Sequence, residues 1–255
     1  MKLQQLYSYT RKAIDDYQLI EKGDMIAVGI SGGKDSLTLL YALAGLRRFY
    51  PFSFEIIAVT VDLGYDKFDL TEITQLCQKL DVPYHIVHTQ IAQILFKERQ
   101  ETSPCSLCAK MRKGALNQAI KELGCNKVAY AHHMDDVIET AFLSMIFEGR
   151  FYSFPPKTYL EDSELTIIRP MIYVSEANVK GFQNKYQLPV VKNPCPVDGN
   201  TKREYVKNLI RQINLDHPGV KPRLFHAIQH GNIPDWLSLE THERSFINYD
   251  ATKKS

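Results

Sequence analysis

Three short segments of the chain combine residue types that could hold anions, metals or reactive sulfur. The first, Ser31-Gly-Gly-Lys-Asp-Ser36, interrupts an apolar run from Met25 to Leu43. Its glycines, Gly32 and Gly33, allow a tight turn that brings backbone N–H groups to an anion; Lys34 adds a full charge, and Ser31 and Ser36 add hydroxyls. Placed between a strand and a helix N-terminus, such a turn is a phosphate cradle. It is not the ordinary P-loop, which would need a glycine where this chain has Val28 and a Ser or Thr where it has Asp35. The plain alternative is a structural turn, weakened by a strand-end lysine that needs an anionic partner.

The second segment is Cys105-Ser-Leu-Cys108. Ser103 and Pro104 suit a helix start, so both thiolates would sit near its positive end, with Arg112 and Lys113 on the next turn. They read as metal ligands or redox thiols. Cys195, in the Pro- and Gly-containing stretch KNPCPVDGNTKREY, is the best third ligand. Three thiolates on a 4Fe-4S cluster leave one iron without a protein ligand, open to a sulfide. Cys77 and Cys125 lie in apolar patterns and read as packing residues.

The third segment, AHHMDDVIETAFLSMI from Ala131 to Ile146, places His132, His133, Asp135 and Asp136 at a strand end. The aspartates could bind Mg2+; the plain alternative is a helix start whose acids favour its dipole.

These segments need a scaffold, and the apolar runs supply it. Residues 25–30, 54–62, 83–89, 126–133 and 165–174 are short, nearly continuous and rich in β-branched side chains, as strands buried on both faces are. Helical spacing fills 37–50, 67–80, 103–123 and 134–147. The alternation predicts an α/β fold: a parallel, Rossmann-like sheet with helices on both faces and a ligand crevice at the strands' carboxyl ends. An amphipathic helix carrying Leu3, Leu6, Tyr7 and Ile14 precedes the sheet, and Thr201 with Glu204 signals a late, basic helix. The expected organisation is an N-terminal helix (1–22), one α/β domain (23–213) and a docked tail (214–255), weakly periodic beyond His217.

At 255 residues, 44% hydrophobic and 24% charged, the chain can build a sizeable core without staples. No stretch has the uninterrupted apolar length of a signal peptide or membrane span, and five cysteines without an export signal favour metal or thiol chemistry in a reducing cytoplasm. The net charge of +2 is unevenly spread: Lys97 to Lys127 holds seven basic residues against three acidic, and Thr201 to Arg223 six against two. Two basic surfaces on an acidic body suit a partner carrying phosphates.

SGGKDS after the first strand resembles the PP-loop of the ATP pyrophosphatases, which cleave between the α- and β-phosphates, and AHHMDD resembles the second signature of their tRNA-modifying branch. With SPCSLCAKMRKG, FPPK (154–157), IIRPMIYV and a third cysteine in that order, residues from about Leu19 to Glu240 are similar to the tRNA 2-thiocytidine synthetase family. The departures are VDLGYDKF after the second strand, where that family more usually has a glutamine-rich motif, and a Cys195 outside any second CxxC. The resemblance implies ATP, Mg2+, an oxygen-sensitive 4Fe-4S cluster and thiolation of cytidine 32 in a tRNA anticodon loop. On this reading Lys34, Asp35, Arg112 and Asp135 are catalytic: Lys34 and the amides of Gly32 to Ser36 hold pyrophosphate, Asp35 and Asp135 organise Mg2+, and Arg112 steadies charge at the adenylated base. Ser31, Gly32, Gly33, Ser36, Asp62, His132 and Asp136 complete the nucleotide site, and Cys105, Cys108 and Cys195 hold the cluster. The expected partners are tRNA, a cysteine desulfurase or other sulfur donor, and a second copy of the chain as a homodimer, with no membrane. The rival readings are a 2-thiouridine or thioribothymidine synthetase with the same centre, whose relatives carry paired zinc-binding CxxC motifs, a lysidine synthetase, which has no use for three cysteines, and a non-catalytic iron-sulfur RNA-binding protein.

Overall fold

The computed structural model describes residues 1–65, 68–95, 104–191 and 202–231, without the side chains of Pro104 and Cys105. Six strands form one sheet: β1 (Met25–Gly29), β2 (Glu55–Asp62), β3 (Tyr84–His88), β4 (Lys127–Ala129), β5 (Lys157–Leu160) and β6 (Leu165–Ile168), in the order β3-β2-β1-β4-β6-β5. All neighbours run parallel except β5, which pairs antiparallel with β6 at the edge. From β1 the chain moves outward to β2 and β3, then returns to place β4 on β1's other side. The connections leaving β1 and β4 therefore diverge, and a crevice opens at their carboxyl ends.

Helices cover both faces, as the β-branched runs predict. On one face Ile26 and Val28 pack with side chains of α1 (Leu3–Tyr17), α2 (Lys34–Leu46), α3 (Thr71–Lys79), α6 (Met134–Glu148) and α7 (Glu176–Tyr186). On the other, Ala27, Val59 and Val128 pack against Leu116 and Ile120 of α5 (Pro104–Glu122). Each of the fully buried leucines Leu37, Leu39 and Leu40 of α2 contributes about 2 kcal/mol by leaving water. Cys77 and Cys125 are buried in these two cores, as their apolar neighbours predict.

The elements depart from the sequence reading in four places. Helix α2 begins at Lys34 rather than at 37, so Lys34, Asp35 and Ser36 form its first turn. Strand β6 stops at Ile168 because Pro170 has no N–H to donate to a ladder, and the residues after it turn toward α7, which has Ser175 as its N-cap. Strand β5 went unread, being four residues long behind two prolines. Beyond α8 (Lys202–Asp216), the weakly periodic segment carries a further helix, α9 (Val220–His230), packed on α6. The remaining described α-helix, α4 (Ile91–Gln93), is a single short turn, and a 3-10 turn (Glu161–Ser163) joins β5 to β6. No helix among the described residues is long and apolar enough to cross a membrane.

Candidate active site

The turn after β1 is built by its own hydroxyls. The Ser36 side chain donates to the carbonyl of Gly33 (2.9 Å) and accepts from the Ser31 amide (3.2 Å), while the Ser31 hydroxyl accepts from the Gly33 amide (3.3 Å). Gly32 adopts φ +81°, the left-handed region, and a Cβ there would stand 3.4 Å from the Cβ of Val191. The left-handed backbone is what favours glycine here, and the later chain is tied to the turn by the Val191 amide, which donates to the Gly32 carbonyl (3.0 Å). The α2 N-cap is Gly33, with no side-chain cap. The first-turn amides, which no helical carbonyl can satisfy, are therefore available to an anion.

A cavity of about 810 Å³ opens over this turn at the β1/β4 switch point. Ser31, Gly33, Asp35 and Ser36 line it from the phosphate turn, Arg112 and Lys113 from α5, His132 and Asp136 from the β4–α6 connection, and Arg169 from the end of β6. Among the expected residues, the structure thus brings Ser31, Gly33, Asp35, Ser36, Arg112, His132 and Asp136 to one wall-to-wall site. Cys108 is partly buried four residues before Arg112, one helical turn away on the same face of α5. Cys105 lies in the first turn of α5, but its side chain falls outside the described residues, as does Cys195 entirely.

Three expected residues have other occupations. Both oxygens of buried Asp135 are taken, one by Lys221 of α9 (2.6 Å) and the other by the Glu176 amide that opens α7 (2.7 Å). In this arrangement it ties three helices together. Asp62 accepts from the Gly64 amide (2.9 Å) and pairs with His88 (3.2 Å), closing the turn after β2 instead of lining the cavity. The Lys34 ammonium lies between Asp35 (3.0 Å) and Glu176 (3.6 Å), off the cavity wall.

The AHHMDD segment serves structure and site together. His133 caps α6 in a capping box with Asp136: its Nδ1 accepts from the Asp136 amide (3.4 Å), and the Asp136 carboxylate accepts from the His133 amide (2.9 Å). His133 Nε2 stands 3.6 Å from Asp35 Oδ1, a buried oxygen without a hydrogen-bond partner. An orphaned carboxylate oxygen beside a phosphate turn fits a divalent cation, and Mg2+ needs only one or two protein carboxylates when phosphates supply the rest. Asp35 and Asp136 are the carboxylates on the cavity wall.

Arg169 escaped the sequence reading, which saw IIRPMIYV as strand. It is buried, donates to Pro155 O (2.6 Å), Thr158 Oγ1 (3.0 Å) and His132 Nδ1 (3.3 Å), and lies 4.8 Å over the Phe154 ring. No carboxylate pairs with it among the described residues. The RP dipeptide ending an apolar run was the available signal: a charge at a strand end facing the crevice. Burial holds His132 neutral, bringing its pKa down to about 4; Asp136 opposes this shift and Arg169 reinforces it.

Part of the expected basic surface is consumed internally. Lys127 is buried on Asp24 (2.7 Å), Lys207 is held by Glu176 (2.9 Å) and Arg203 by Glu139 (3.3 Å).

Residues 3–216 match the family model for the PP-loop domain. A curated relative from Geobacter sulfurreducens, tRNA-cytidine(32) 2-sulfurtransferase, is 38% identical over 225 residues, 87% of each chain. A protein of the same name from Syntrophotalea carbinolica is 37% identical over 93% of this chain and 92% of its own. Among solved structures, the U34-tRNA thiolase NcsA from Methanococcus maripaludis, with its 4Fe-4S cluster, shares the fold with a TM-score of 0.72 at 24% identity, covering 89% of this chain and 77% of the thiolase.

Proposed function

The chain belongs to the PP-loop family and, within it, to the tRNA-cytidine(32) 2-sulfurtransferase family, and from that premise we propose that it thiolates a tRNA cytidine by an ATP-dependent, cluster-assisted substitution at C2. The observation that carries the reading is the convergence of the phosphate turn and the α5 face, one turn from Cys108, on a single cavity.

The chemistry follows from the substrate. The C2 oxygen of a pyrimidine leaves poorly, so it must first attack the α-phosphorus of ATP and expel pyrophosphate. A sulfide then adds at C2, and AMP departs with the original oxygen, leaving the thiocarbonyl without a net redox change. The first-turn amides of α2 receive the leaving pyrophosphate, and Lys34 joins them by exchanging its carboxylate partners for phosphate. Asp35 and Asp136 are the residues that would hold Mg2+, which neutralises charge on the phosphates when bound. Arg112, Arg169 and Lys113 add positive charge to the same cavity, suited to the phosphate of the adenylated base. His132 is neutral, and because Arg169 can only donate, its Nδ1 accepts and its proton sits on Nε2. Cys105, Cys108 and Cys195 would hold a 4Fe-4S cluster, which supplies the sulfur-handling chemistry when bound. Val191, hydrogen-bonded to the phosphate turn, stands four residues before Cys195 in the sequence.

Mass spectrometry of tRNA nucleosides from cells lacking the protein tests the reading. Loss of 2-thiocytidine, restored by the wild-type chain and not by Lys34→Ala, is expected. Unchanged 2-thiocytidine, or loss of a thiouridine in its place, would overturn it.

A further inference from the structure

At the far end of α6 from the cavity Phe147 stands open to solvent with Tyr205 of α8 beside it, and the chain that returns from there toward Val137, where the Ser153 hydroxyl is bound, exposes Phe151 and Tyr152. Phe151 and Tyr205 expose 60% and 59% of their surface. The rings are ordered against one another and against cations. Phe147 and Tyr205 meet edge to face at 6.2 Å, Lys202 lies 4.9 Å over Phe147, and Arg150 lies 4.8 Å over Tyr152 while also pairing with Glu148 (2.7 Å).

We propose that this patch is a stacking platform for unpaired bases of an RNA loop; the proposal rests on the reading of the protein as a tRNA-modifying enzyme. Aromatic faces flanked by Lys and Arg are the surface that binds single-stranded nucleic acid, the rings taking bases and the cations taking phosphates. The patch is continuous with the site. Asp136, Thr140, Leu143 and Phe147 follow one face of α6, so cavity and platform are separated by eleven residues, about 16 Å of helix. The first turn of α8 lies along the same stretch: Arg203 reaches Asp136 (3.6 Å) while its neighbour Lys202 covers Phe147. A nucleotide in the cavity would leave others of its loop within reach of these rings. A second copy of the chain fits less well, since a two-fold contact would bring the cations of both patches, Lys202 and Arg150 from each copy, into one interface.

The test is a binding titration of the cluster-loaded protein with an anticodon stem-loop RNA and, separately, with a fully paired duplex of the same stem, across a salt series. For Phe147→Ala with Tyr205→Ala, stem-loop affinity is expected to fall about tenfold or more, with duplex affinity and the salt slope unchanged because stacking releases no counterions. Lys202→Ala should reduce the salt slope by about one unit. The ring-preserving pair Phe147→Tyr with Tyr205→Phe should keep wild-type affinity, which separates stacking from folding. Stem-loop affinity within twofold of wild type in the alanine pair would overturn the platform, as would a dimer that this pair splits while RNA binding persists. Such a result would leave the nucleoside assay, and with it the thiolation reading, standing.

Discussion

Arg169 donates its Nε–H to Nδ1 of His132 across 3.3 Å, and the two side chains share Phe154, which packs on the imidazole at 4.6 Å and lies under the guanidinium at 4.8 Å. One contact thereby fixes a tautomer and gives a buried cation a neutral partner. It links the end of β6 to the end of β4, the two strands that flank the outer side of the crevice.

The neutrality of His132 gives a pH signature. The unfolded ring binds a proton below about 6.5, the folded ring only below about 4. Between these values the unfolded state holds more protons, so this residue's contribution to stability is complete above about pH 6.5 and is lost as the pH falls toward 4. Urea midpoints from pH 4 to 8 should therefore drop less steeply for His132→Gln than for wild type. A constant offset between the two curves would refute a buried neutral histidine.

Glu176 titrates with the opposite sign. Burial would raise its pKa, but hydrogen bonds and charge from Lys207 and Lys180 prevail and bring it down to about 2. Its contribution is present above pH 4.5 and fades as the pH falls toward 2. Glu176→Gln removes the carboxylate that Lys34, Lys180 and Lys207 share and, with these lysines partly open to solvent, should cost about 1 kcal/mol at neutral pH. Calorimetric unfolding at pH 7 and pH 3 checks it, with the deficit shrinking at the lower pH.

The phosphate turn separates two kinds of lesion. Lys34→Ala should abolish tRNA-dependent pyrophosphate release while keeping the cluster's absorbance and a cooperative unfolding transition. Gly32→Ala forces a left-handed residue with a Cβ against Val191 and should lose about 1–2 kcal/mol of stability as well. Wild-type pyrophosphate release by Lys34→Ala would mean that this lysine belongs only to its ion pairs.

The cysteines should divide three to two. Serine at Cys105, Cys108 or Cys195 should remove the visible iron-sulfur absorbance of anaerobically prepared protein. Cys77→Ser and Cys125→Ser should retain it, because burial raises both thiols to about 11 and keeps them protonated. An intact cluster in Cys195→Ser would break the assignment.

Basic residues of α8 should separate by what they touch. Lys207→Ala should lower stability through Glu176 and leave the salt dependence of tRNA binding nearly unchanged, whereas exposed Arg211→Ala should flatten it. Filter binding between low and high salt distinguishes the two.

Sequence by itself determined what is local. Strand interiors read as β-branched runs, the glycines and lysine of residues 31–36 marked a strand-to-helix turn, and Cys77 and Cys125 declared themselves packing residues by their neighbours. Tertiary structure decided which charges are free. Asp135, Asp62, Lys127 and Lys207 look in sequence like residues for ligand or phosphate, yet each finds its partner on an element 25 or more positions away: Lys221, His88, Asp24 and Glu176. Arg169 shows the converse, a charge hidden in an apolar run that the β4–β6 pairing carries to the cavity wall. Periodicity reports which side of a helix or strand is buried. The partner of a buried charge is fixed by the order of strands and the crossing of helices, and no spacing along the chain encodes that directly.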